Sequence, residues 1–170
     1  MNHQENGHIS LTRGEIFYLL ILSLRPKQWT KNFLIYFAFF FTINERWNLA
    51  NTHEAISLLG KSTVAFILFT MISGAIYLIN DISDIGKDIQ HKNKKLRPIA
   101  SGRLPIAVAW YTVAVLTILG LIFSFTLEST FGWITLGYMI LMLAYTLVLK
   151  HLVILDVLTI SAGFVIRATA

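Results

Sequence analysis

The sequence predicts an all-α integral membrane chain, with about five transmembrane helices preceded by a helix lying at the membrane surface. Three observations carry that prediction. Hydrophobic residues make up 55% of the 170 and charged residues only 14%, with mean hydropathy +0.65; an ordinary soluble domain carries about a quarter charged residues. The apolar residues fall into runs near the length a span needs, roughly 20 residues and about 17 at the least. Lysine and arginine, finally, gather on one side of those runs, the asymmetry that membrane insertion produces.

Taken in order, Met1 to Thr12 is polar and lacks the basic-then-apolar pattern of a cleavable signal peptide, so residues 1–12 are expected to be a disordered tail ahead of one membrane domain, 13–170. Ile16 to Leu24 is too short to cross and ends at Arg25-Pro26, which makes it the surface helix. Lys27 to Ile43 is the first span, with Trp29 and Trp47 as interface anchors. A polar loop, Asn44 to Glu54, leads to the second span, Ser57 to Asn80. A basic segment from Asp81 to Leu104 follows, and Pro105 opens the third span, which runs to about Leu127. Glu128 and Ser129 form a tight turn, Thr130 to Leu149 is the fourth span, and Lys150-His151 turns into a fifth, Leu152 to Ala170. Gly163 to Ala170 stops inside an apolar run without a polar cap, so a truncated chain is expected. The chain has no cysteine, which excludes a disulfide framework, thiolate catalysis and a zinc–thiolate site.

One side of the spans collects Arg13, Arg25, Lys27, Lys31, Lys150 and the six basic residues from Lys87 to Arg103; the other has Arg46 and Lys61. The positive-inside rule places the first set in the cytosol. The N-terminus and the segment 81–104 are therefore expected to face the cytoplasm from the plasma (inner) membrane.

At the inner end of the second span stands Asn80-Asp81-x-x-Asp84-x-x-x-Asp88. On a continuous helix, steps of three and four return to nearly the same face, which aims three carboxylates and the Asn80 amide at one point. Such a cluster repels itself unless a cation sits within it. Hard oxygen ligands suit Mg²⁺, which takes its remaining ligands from water and substrate phosphate. The competing reading is a solvated helix end that happens to be acidic. The interleaved Lys87, Lys92, Lys94, Lys95, Arg97 and Arg103 favour a bound metal–phosphate pair, although a basic run also suits anionic lipid.

The core Asn80-Asp81-x-x-Asp84-x-x-x-Asp88, followed by Arg97-Pro98-x-x-x-Gly102-x-Leu104, resembles the first aspartate-rich motif of the UbiA superfamily of membrane prenyltransferases. Leu24-Arg25-Pro26-Lys27-Gln28-Trp29-Thr30-Lys31-Asn32, His91-x-x-Lys94-x-x-Arg97-Pro98-Ile99-Ala100, Leu149-Lys150-His151, Leu155-Asp156 and Ala162-Gly163-Phe164-Val165-Ile166-Arg167 are similar to the decaprenyl-phosphate phosphoribosyltransferase branch. Lys92 departs from the proline expected after the histidine. The resemblance implies a bundle of nine helices with a second aspartate-rich motif in its later half, of which this chain would be the N-terminal half.

It also implies the chemistry. Mg²⁺ would bind the diphosphate of phosphoribosyl diphosphate, and a polyprenyl (decaprenyl) phosphate would attack the ribose as diphosphate leaves, for synthesis of a cell-envelope precursor. Asp81 and Asp84 are the expected catalytic residues; Asn80, Asp81, Asp84 and Asp88 the expected metal and diphosphate ligands. Lys94 and Arg97 are assigned to donor phosphate, against lipid-headgroup contact. Lys27 and Lys31, four apart, either clamp a phosphate or snorkel. His91 is a phosphate contact or a solvated loop residue. Lys150 is expected to bind substrate, in a cavity to which Tyr145 also contributes. Asp156 sits near the cytosolic end of the fifth span, and Arg167 lies eleven residues further on, about 16 Å along a helix, where it faces a cavity or snorkels outward. Phe37 to Phe41 read as lipid-facing packing.

The partners expected are thus the membrane, a lipid substrate and a soluble diphosphate donor, and not nucleic acid. Two other functions stay open: UbiA-type prenyl transfer onto an aromatic or quinone-precursor acceptor, and a non-catalytic membrane protein or inactive fragment. A transporter would place its polar residues at the bilayer midplane on broken helices, whereas here they cluster at one end.

Overall fold

The computed structural model describes residues 12–47, 51–151 and 153–170, and the side chains of all of these except 151 and 153–156. The expected tail therefore lies outside the described residues apart from Thr12, and so does the side chain of Asp156. The chain is all-α and integral to the membrane. Its helices are α1 (Arg13–Ser23), α2 (Tyr36–Phe41), α3 (Thr52–Ser83), α4 (Ile85–Gln90), α5 (Ile106–Leu127), α6 (Ser129–Leu147) and α7 (Val153–Thr169), with 3₁₀ segments at Pro26–Ile35, Lys94–Leu96 and Leu149–His151. Three of them, α3, α5 and α6, are long and apolar enough to cross a membrane.

The surface helix α1 starts where its capping chemistry dictates. Glu15 N–H donates to the Thr12 hydroxyl at 3.3 Å, and Thr12 N–H donates back to the Glu15 carboxylate at 2.8 Å. Those bonds hold the Glu15 carboxyl below its usual range. Pro26 ends the run: the residue before a proline is driven out of the right-handed helix, and Arg25 takes the left-handed conformation, φ 54°.

The expected first span is not one regular α-helix. It runs as ten residues of 3₁₀ helix and then the six of α2. At about 2.0 Å per residue in 3₁₀ and 1.5 Å in α, the two segments have a combined length of roughly 29 Å. Threefold winding superposes residues three apart, so Asn32 and Ile35 are buried together. Trp29 and Trp47 each have the indole N–H satisfied within the chain. Trp29 Nε1 donates to the Leu24 carbonyl at 3.0 Å, and Trp47, buried on Phe39, donates to that residue's carbonyl at 2.9 Å.

Helix α3 is the centre against which α1, α2, α4, α5 and α6 pack, while α7 packs on α6 and the first span. Its middle buries Ala65, Leu68, Phe69, Ile72 and Ile76 with Phe131 and Tyr138 of α6 and Ile35. Small residues permit close approach where lipid supplies no hydrophobic drive: a Cβ on Gly120 of α5 would lie 2.8 Å from Ile72 Cδ1. Polarity is turned inward. Ser73 and Ser124 are buried and donate to carbonyls four residues back, while Trp110, Tyr111, Ile118, Phe123, Trp133 and Ile140 are exposed, the arrangement expected when the surroundings are hydrocarbon.

The segment after α3 is folded rather than loose. Ile99 and Leu104 are buried against Ala75 and Leu78 of α3 and Ala109 of α5. Gly102, at φ +72°, makes the turn between them, where a side chain would be strained. This apolar docking is what carries the basic residues to the end of α3.

Candidate active site

Helix α3 has 32 residues, about 48 Å of length against a hydrocarbon core of about 30 Å. It therefore outreaches the bilayer, and its last turn carries Asn80 and Asp81. Asp84 is the cap that ends α3 and begins α4, with φ −99° and ψ 6°. The helix is broken there, which corrects the expectation of three aspartates on one continuous face. Asp84 N–H donates to the Asn80 carbonyl at 3.0 Å, and the Asp84 carbonyl accepts from Asp88 N–H at 2.8 Å.

The break sends the carboxylates to two places. Asp81 and Asp88, 3% and 1% exposed, share one guanidinium: Arg97 Nη1 lies 3.1 Å from Asp81 Oδ1 and 2.6 Å from Asp88 Oδ2. Arg25 Nη2 donates to the same Asp81 oxygen, with its guanidinium 5.1 Å from the centre of the Tyr77 ring. Lys94 Nζ stands 4.0 Å from Asp88 Oδ1. Asp84 instead takes Lys150 Nζ at 2.6 Å, with Ser83 at 3.3 Å from the same ammonium. Among the described residues, no three acidic or histidine side chains gather closely enough to hold one metal ion.

Two buried carboxylates facing one cation position nevertheless make a donor set suited to magnesium. That ion commonly takes only one or two protein carboxylates and completes its octahedron with water and substrate phosphate. Asp81 and Asp88 are the pair that can hold it. Around the three aspartates stand four cations, Arg25, Lys94, Arg97 and Lys150, so the site carries one more positive than negative charge and attracts anions.

Of the residues expected from sequence, the structure brings together Asp81, Asp88, Lys94 and Arg97, and places Asp84 with Lys150. Asn80 is half-buried beside them. His91 is exposed, and its Nδ1 accepts from the N–H groups of Asn93 and Lys94 at 3.2 and 3.4 Å, a turn-capping role. Lys27 and Lys31 are exposed on the 3₁₀ segment, with Lys31 Nζ 5.9 Å from the Phe164 ring centre. Tyr145 is half-buried on α6.

Arg25 was not foreseen in this role. Its signal was present, a cation at a proline-broken helix end, but 56 residues separate it from Asp81. Arg167 does not snorkel. It is 5% exposed and donates to Asn32 Oδ1 at 3.0 Å, to the Gly163 carbonyl at 2.9 Å and to the Tyr138 hydroxyl. Asn32, equally unforeseen, passes the network to Thr70 of α3 at 3.0 Å. At the opposite end of α3 lies a cavity of about 340 Å³ lined by Phe39, Arg46, Lys61 and Glu128 among others, and none of the expected site residues borders it.

The sequence profile of the UbiA prenyltransferase family matches residues 47–170. The chain is 34% identical over 151 residues to the decaprenyl-phosphate phosphoribosyltransferase of Mycolicibacterium smegmatis, covering 89% of this chain and 46% of that one. It is 35% identical over 156 residues to the Corynebacterium glutamicum protein of the same name, covering 89% and 44%. A digeranylgeranylglyceryl phosphate synthase of Methanosarcina mazei is 34% identical over 111 residues, covering 65% and 37%. The chain spans about half the length of the curated relatives it matches.

Proposed function

The chain belongs to the UbiA prenyltransferase family, and from that premise we propose that it supplies the diphosphate-binding face of a phosphoribosyltransferase. The reaction proposed is magnesium-dependent transfer of 5-phosphoribosyl from phosphoribosyl diphosphate to a polyprenyl (decaprenyl) phosphate with release of diphosphate, for cell-envelope synthesis at the cytosolic face of the plasma membrane. The observation that carries this reading is the packing of four cations onto three aspartates at one end of the bundle. Similarity to two proteins named decaprenyl-phosphate phosphoribosyltransferase supports it.

Asp81 and Asp88 are the proposed magnesium ligands. Bound there, the ion would act as a Lewis acid that neutralises charge on the leaving diphosphate. Arg97 and Lys94 would bind donor phosphate oxygens, the arginine in the bidentate geometry that suits them. Arg25 orients Asp81. Asp84, next to Asn80 in the broken turn, acts through Lys150 and so fixes the segment after α6 to the site. Lys27 and Lys31 are on the segment that leads away from Arg25, and are assigned to the acceptor phosphate. The 170-residue chain alone is proposed to be inactive, because a diphosphate held from one side is not oriented for displacement; positioning alone supplies roughly 7–11 kcal/mol of a barrier reduction.

Similarity to the Methanosarcina mazei synthase favours a second reading, transfer of a prenyl group from an allylic diphosphate at the same face. One assay separates the two. A version extended to the relatives' length, in detergent with Mg²⁺ and polyprenyl phosphate, is given labelled phosphoribosyl diphosphate or, separately, an allylic diphosphate with an aromatic acceptor. The expected product is lipid-linked phosphoribose, reduced about 100-fold or more by Asp81→Ala. Undiminished product from Asp81→Ala removes the metal assignment, and turnover with the allylic donor alone selects the second reading.

A further inference from the structure

One Arg97 guanidinium nitrogen lies 3.1 Å from Asp81 Oδ1 and 2.6 Å from Asp88 Oδ2, so a divalent cation held by those carboxylates would have to compete with Arg97 for them. Arg25 reaches the same Asp81 oxygen. Like charges at such separations repel strongly when partly shielded from water, so an incoming cation must move Arg97 aside. The two arginines, 26% and 27% exposed at their side chains, are not sealed in. Each is a planar fork suited to phosphate oxygens.

Resting on the metal–diphosphate reading of this site, we propose that Asp81, Asp88, Arg97 and Arg25 form a counter-ion exchange that takes up cation and diphosphate as a pair. A cation entering alone displaces Arg97 and leaves a guanidinium without its anion. A diphosphate entering alone draws Arg97 from Asp81 and Asp88, two carboxylates at most 3% exposed, and leaves them buried and uncompensated. Either state is costly, since breaking a buried pair strands a charge. With both bound, the cation compensates the carboxylates and the arginines compensate the diphosphate. The coupling acts both ways, as any binding linkage must. It also guards the donor: the leaving group is gripped by arginines only when the metal is in place.

The experiment titrates the chain in lipid nanodiscs by calorimetry in three arms: MgCl₂ alone, inorganic diphosphate alone in chelator, and diphosphate saturated with Mg²⁺. The third arm is expected to bind about tenfold or more tightly than either component. Arg97→Gln moves the arms in opposite directions, Mg²⁺ alone binding about fivefold tighter or better and the complex about tenfold weaker. Arg97→Lys keeps a charge between the carboxylates, leaving Mg²⁺ alone unchanged while weakening the complex. Circular dichroism matching the parent establishes that the variants are folded. Weakening of all arms together by Arg97→Gln, the pattern of a merely structural residue, overturns the exchange. Independent binding of the two components by the parent chain also overturns it while leaving the metal–diphosphate reading intact. No binding in any arm removes that reading and the exchange with it.

Discussion

Lys150 Nζ lies 2.6 Å from Asp84 Oδ1 across 66 residues of sequence. The contact joins the end of α6 to the break between α3 and α4, and both side chains are mostly shielded, 14% and 18% exposed. A pair so placed is worth more than a surface ion pair and less than a fully buried one.

Lys150→Met and Asp84→Asn are each expected to lower stability by about 1–2 kcal/mol. The double variant should lose less than the two together, with a coupling of about 0.5–2 kcal/mol. Thermal unfolding in detergent across the four proteins measures it, and strict additivity would mean that the pair contributes no stability.

Arg167 holds α7, α6 and the first span together through Tyr138 and Asn32. Arg167→Met keeps much of the volume but leaves the Asn32 and Tyr138 oxygens without that donor, at an expected cost of roughly 2–4 kcal/mol. The milder Asn32→Asp, which offers the guanidinium a charged acceptor, should be tolerated better than Asn32→Leu. Unfolding temperatures equal to that of the parent for all three variants would show that the network does not stabilise the bundle.

Cysteines placed at Gln90 and at His53, both exposed, should react with an impermeant thiol reagent from opposite sides of sealed vesicles. Gln90 is expected to label from the cytosolic side, as the distribution of lysine and arginine requires. Labelling of both from one side would reverse the orientation.

The Thr12–Glu15 cap gives a pH dependence of known sign. Folding lowers the Glu15 carboxyl below its usual value, so the ionised form is the one the cap stabilises. Its contribution is complete above the unfolded carboxylate value and is lost as pH falls through the lowered one. Amide exchange at the start of α1 should accelerate through that acid range relative to the intrinsic rate, and Glu15→Gln should abolish the inflection. An unchanged profile in Glu15→Gln would assign it elsewhere.

Chain class, the helices α3, α5, α6 and α7 and the aspartate–arginine composition of the site are legible from sequence, because hydropathy and charge act over a few residues, whereas the separate helix α4 within the basic segment was not. Arg25-Pro26 and Pro105 each mark a helix end that is found where expected, whereas the Thr12–Glu15 capping box starts α1 at Arg13, ahead of the expected Ile16. The 3₁₀ winding of Pro26–Ile35 was hidden, since its choice over α depends on burying Asn32 among partners from α3 and α7. Helical spacing likewise aimed Asp84 with Asp81 and Asp88, and only the folded chain turns it to Lys150. Arg25 joins Asp81 across 56 residues and Arg167 joins Asn32 across 135. Such pairings depend on how the helices pack around α3, which brings together charges that local sequence rules keep separate. The sequence by itself determined which charges gather at one end of the bundle; tertiary packing decided which of them meet.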